Sequence, residues 1–171
     1  MLPRPSATGQ NRKFAVLIDA SNRASQKHVR SSTPKLQKLM LSTLQNLLLL
    51  TEIEDAFPGC SEMFSDSFIE ENPSMLEIDG GVDLLMAVPA YMAWCTRNGH
   101  RPSLLVHDYT VNALAEFGRT KNRQIAHLDF KHRCTAEQKR AVLHFLRWYL
   151  NPGLLVDTEQ VARSIKRWSA S

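Results

Sequence analysis

Residues 135–150 read TAEQKRAVLHFLRWYL. Thr135 and Gln138 have the spacing of a capping box: the threonine hydroxyl takes the third helical N–H and the glutamine side chain returns to the threonine N–H. Ala141, Val142, Phe145, Leu146, Tyr149 and Leu150 then recur at the spacing that puts apolar side chains on one face of a helix. Asn151-Pro152-Gly153 ends the pattern. Asp157 with Gln160 repeats the device ahead of Val161, Ile165 and Trp168. Two capped amphipathic helices in succession make this end of the chain helical.

Upstream, residues 82–97 (VDLLMAVPAYMAWCTR) form the most apolar stretch. Pro89 lies at its middle, so the sequence allows either a kinked helix or two helices meeting, because proline removes one ladder hydrogen bond and crowds the preceding turn. Asn98-Gly99 closes it, and Asp83 stands where a cap belongs. Asp108 is placed to cap a further helix through Phe117, with Gly118 as its stop. Residues 60–81 are acidic and weakly patterned, and read as a loop with one short helix near 67–71.

Thr33-Pro34 is a helix start, after which Leu36, Leu39, Met40, Leu44, Leu47 and Leu48 keep helical spacing. Thr51 and Glu54 have capping-box spacing for a continuation through Phe57, before Pro58-Gly59. Residues 13–20 (KFAVLIDA) are a short apolar, β-branched run ending in a turn, and residues 1–12 have the composition of a disordered tail. The domain plan is a tail (1–12), an N-terminal strand and basic linker (13–32), and a helical domain (33–171).

With 43% hydrophobic residues, the chain has enough apolar material for a core without staples. No apolar run approaches the ~18 residues of a membrane span, and the start lacks the pattern of a secretory signal. A cytoplasmic protein without membrane contact is the expectation. Cys60, Cys95 and Cys134 lie far apart with no CxxC pair, which excludes a zinc ribbon and predicts buried, reduced thiols. No GxSxG, GxxxxGK[ST] or GxGxxG is present, and the six histidines show no HExxH spacing.

The charge is unevenly placed. Residues 1–48 carry eight Lys/Arg against one acid, residues 49–117 two against twelve, and residues 118–171 eleven against four. An acidic middle at −10 thus lies between two flanks of +7 each. Either the flanks fold back on the middle, or the middle meets a basic partner.

Three segments of the centre resemble an uncharacterised bacterial family of small domains of unknown function. These are residues 53–58 (IEDAFP), residues 88–94 (VPAYMAW, a PAYM-W block) followed by Arg97-Asn98, and the Thr135, Glu137-Gln138, Ala141-Val142, Phe145-Leu146 closing helix. The resemblance covers roughly residues 50–150 and implies a compact helical domain with no assigned chemistry. Physically, Tyr91, Met92, Trp94 and Cys95 read as core packing.

The stretch Ala15-Val16-Leu17-Ile18-Asp19-Ala20-Ser21-Asn22 is similar to the opening strand of the NYN branch of PIN-like ribonucleases. That resemblance implies an α/β fold in which Asp19 ends the first strand and helps hold Mg²⁺ or Mn²⁺, with Asn22 steadying the turn. Metal-dependent hydrolysis needs several carboxylates at strand ends to activate water against phosphate. Asp83 and Asp108 would complete the set, with a further strand at residues 124–128. Two readings stand side by side. The leading one is a mainly α, non-enzymatic domain with a short N-terminal β-strand, without cofactor or metal. It acts by protein contact through the acidic segment 49–117, in an immunity-type or accessory role. The alternative is the ribonuclease, with Asp19, Asp83 and Asp108 as catalytic and metal-binding residues and a nucleic-acid substrate. A composite of the two families is the third possibility.

Overall fold

A computed structural model describes residues 36–78, 81–101, 105–119, 129–150 and 157–170. Among the described residues there are seven helices and no strand. The tail, the strand at 13–20, the Thr33-Pro34 start, the strand at 124–128 and the Asn151-Pro152-Gly153 stop lie outside the described residues. The described residues fall into two units, divided between Leu44 and Gln45.

Helix α1 covers residues 36–56 without interruption. The expected cap at Thr51 is not formed. Its hydroxyl donates to the Leu47 carbonyl at 3.0 Å, a bond made inside a continuing helix. Pro58-Gly59 does end α1, and Gly59 adopts φ 79°, the left-handed conformation that a Cβ disfavours. In the first unit, Leu36, Leu39, Met40, Leu41 and Leu44 are all exposed. In the second, Leu49, Ile53 and Phe57 are buried, while Leu47 and Leu48 are exposed.

After a 3-10 turn at Cys60–Glu62 comes α2 (Asp66–Glu71), whose Ser65 hydroxyl accepts the Phe68 N–H. A second 3-10 turn, Met75–Glu77, leads to α3 (Leu84–Arg97), capped by Asp83. Of the two arrangements that Pro89 allows, the structure has the single helix, which passes through it. Residues Ala87 through Thr96 are buried in succession, so α3 is covered on every side. That explains its lack of a polar face. Phe64 stacks on Phe68 and meets Tyr91 edge-on, while the Tyr91 hydroxyl donates to the Asn72 carbonyl.

Helix α4 (Leu105–Arg119) corrects two expectations. The segment at 105–106 is already helical, so Asp108 lies in the first turn and does not cap it. The helix runs one residue past the expected stop, so Gly118 is its last residue but one. A Cβ there would sit 2.9 Å from Trp168 Cδ1, so the glycine serves close packing. Short α5 (Phe130–Arg133) inserts Phe130 between Phe57, Phe117 and Trp168.

Helix α6 (Ala136–Trp148) has the capping box as read. Gln138 also donates to the Ala56 carbonyl at 3.1 Å, satisfying one of the acceptors left over at the end of α1. Ala141, Val142, Phe145, Leu146 and Tyr149 are buried; Leu150, expected on the same face, is 45% exposed because the helix ends two residues earlier. Helix α7 (Thr158–Ser169) is capped by Asp157. Gln160 does not return to close a box; it reaches Asn112 on α4. All three cysteines are buried and free. Among the described residues no helix is long and apolar enough to cross a membrane.

Candidate protein-contact surface

The structure places the proposed acids in unlike settings. Asp83 accepts the Leu85 N–H at 3.0 Å and Arg133 at 2.8 and 3.0 Å, so both its oxygens are engaged. The Arg133 hydrogen bond, then the Leu85 amide, hold its carboxyl below the usual range. Asp108 is exposed on the first turn of α4. Asp19 lies outside the described residues. No group of three metal-ligating side chains converges among the described residues.

Two histidines have specific partners. His107, beside Asp108, turns inward: its Nε2 faces the Asn98 carbonyl at 3.4 Å and its Nδ1 faces the Tyr149 hydroxyl at 2.7 Å. A carbonyl can only accept, so Nε2 carries the proton and Tyr149 donates to Nδ1. Alongside, Cys95 donates to Thr110 at 3.6 Å, and Thr110 donates to the Val106 carbonyl at 2.7 Å. Burial pushes the Cys95 and Cys134 thiols up to about 12, so neither offers a thiolate nucleophile near neutrality. His144 meets Glu52 at 2.7 Å.

The basic C-terminal flank does fold back on the acidic middle. Arg133 takes Asp83, and Arg140 reaches Glu52 at 3.8 Å. Within the middle, Arg97 pairs with Asp66 at 2.9 Å and Arg101 with Glu70 at 3.2 Å. These pairings leave a residue of unanswered charge. Between residues 54 and 77 the chain has seven acids and no Lys or Arg. Asp55, Glu62, Glu71 and Glu77 are exposed, and none has an ion-pair partner among the described residues. Met63 and Leu76 in the same segment are exposed too, at 38% and 47%.

A second surface feature is a groove of about 330 Å³ between α1 and α6, floored by Leu48, Leu49 and Trp148. Its acid, Glu52, is already taken by His144 and Arg140, and Arg147 adds a positive charge. It therefore suits a basic partner less well than the 54–77 segment does. No family model, curated protein or solved structure matches the chain.

Proposed function

We propose that this chain is a protein-contact domain, of an immunity or accessory type, whose acidic segment receives a basic protein. The observation that carries the reading is the set of exposed acids left over after internal pairing: Asp55, Glu62, Glu71 and Glu77. Like charges gathered on one segment raise the encounter rate with a basic surface and reject acidic ones. Exposed Met63 and Leu76 supply apolar anchors beside the acids. The engagement of both Asp83 oxygens by Arg133 and a backbone amide also supports this reading over the ribonuclease, which needs that carboxylate for metal.

The test is co-purification of the tagged chain with the products of adjacent genes, in ~0.05 M and ~0.5 M salt. A partner retained only at low salt, and lost in the E62K/E71K/E77K variant, is the expected result. Absence of any salt-sensitive partner overturns the proposal. So does Mg²⁺- or Mn²⁺-dependent cleavage of single-stranded RNA that disappears in D19N, which would instead establish the ribonuclease.

A further inference from the structure

Helices α4 and α7 are drawn together where Trp168 donates its indole N–H to the Leu114 carbonyl at 2.8 Å, over the space that Gly118 leaves. Beside that contact is a crevice of about 180 Å³ lined by Ala115, Glu116, Arg119, Gln160, Arg163 and Arg167. Arg163 and Arg167 stand four apart on one face of α7, and Arg119 comes from α4. Like charges at that spacing repel, and a third from a neighbouring helix adds to the cost.

The carboxylates nearby cancel only part of the charge. Glu116 holds Arg119 at 2.9 Å. Glu159 approaches Arg163 only to 3.6 Å, outside the crevice lining, with its side chain 80% exposed. Arg167 has no carboxylate partner among the described residues. Its carbonyl is taken by Lys131 Nζ at 2.6 Å, which brings a further cation to the end of α7. Helix-dipole complementarity accounts for Arg119, Lys166 and Arg167 in the last turns of their helices, but Arg163 sits a turn earlier. The lining carries three guanidinium groups and one carboxylate, a net charge of +2. Trp168, the aromatic beside them, is 2% exposed and offers no face for stacking a base.

We infer that the Arg119–Arg163–Arg167 crevice binds a phosphomonoester dianion. Guanidinium forks match phosphate oxygens two at a time. A monoester brings about −1.5 to −2 at neutral pH, which matches the charge of the lining, whereas a diester brings only one negative charge. At about 180 Å³ and open to solvent, the crevice has room for a phosphoryl group. The buried Trp168 makes recognition of the attached group secondary.

The experiment is a titration of the full chain with methyl phosphate and with dimethyl phosphate, read by calorimetry and by the NMR signals of the arginine Nε–H groups. Saturable binding of the monoester, roughly tenfold tighter than the diester, is expected from the second unit of charge. R163Q and R167Q should each weaken the monoester severalfold and the diester by a smaller factor, with the melting temperature preserved. Equal affinity for the two esters, no saturation, or variants that bind as the parent does would overturn the assignment. Because the ester comparison uses the parent chain alone, it stands even where a variant fails to fold. A 5′-phosphorylated dinucleotide then distinguishes sources. Binding tighter than methyl phosphate assigns the site to a nucleotide end, and equal binding assigns it to the phosphoryl group of any small monoester; both support the crevice as a phosphomonoester site.

Discussion

His107 shows how one side chain couples the core to pH. Burial disfavours its imidazolium and lowers its pKa below the ordinary 6.5, while the Asn98 carbonyl and Asp108 act in the opposite direction. In the unfolded chain the same histidine takes up a proton as pH falls through about 6.5. There the unfolded state binds more protons than the folded one, so stability is full above that pH and declines below it. Urea unfolding at pH ~7.5 and ~5.5 should show the loss, and His107→Gln should flatten the slope although it lowers stability at both. A parent and variant with parallel pH profiles would place the sensitivity elsewhere. The sequence shows the His107-Asp108 pair but not the inward turn, because the partners, Tyr149 and Asn98, are distant in the chain.

At the scale of the element, Gly118 is the informative position. Glycine in a helix costs up to about 1 kcal/mol relative to alanine, and less in a last turn such as this, so propensity alone mildly favours Gly118→Ala. Packing argues the other way. The added Cβ would meet Trp168 at 2.9–3.0 Å and Arg167 Cβ at 3.3 Å, and Trp168 is pinned by its bond to Leu114. Forcing a methyl group into such a contact costs about 1–3 kcal/mol, which outweighs the helical gain. Gly118→Ala should therefore unfold at lower urea than the parent, and a variant as stable as the parent would refute the close approach. Read from sequence, Gly118 is a terminator, because glycine commonly ends helices. The packing role needs Trp168, fifty residues on in the chain.

Over the whole molecule, charge that looks segregated along the chain is partly neutralised in space. Arg133 from the basic C-terminal flank meets Asp83 from the acidic middle, and Arg140 approaches Glu52. The Arg133–Asp83 side chains are 38% and 49% exposed, so water and salt screen the pair. A double-mutant cycle on Asp83→Asn and Arg133→Gln should give a coupling below about 1 kcal/mol, shrinking further in ~0.5 M salt. Asparagine still accepts the Leu85 N–H, which keeps the cap out of the measurement. A coupling of several kcal/mol would mean that the pair organises the fold rather than merely balancing its surface.

Local sequence signals gave the larger helices and several of their ends, though not short α5: the Thr135–Gln138 box, the Asp83 and Asp157 caps, and the Pro58-Gly59 stop. Those signals act through hydrogen bonds and backbone preferences spanning a few residues, so they can be read locally. They did not determine which faces would be covered. Leu47 and Leu48 are as apolar as Leu49 and Ile53, yet the first two are exposed and the last two buried. Nor could they say that Asp108 would lie inside a helix, which acids would find an arginine, or that Arg119 would join Arg163 and Arg167. Burial and charge pairing depend on what another element brings to the same place, which no local pattern encodes.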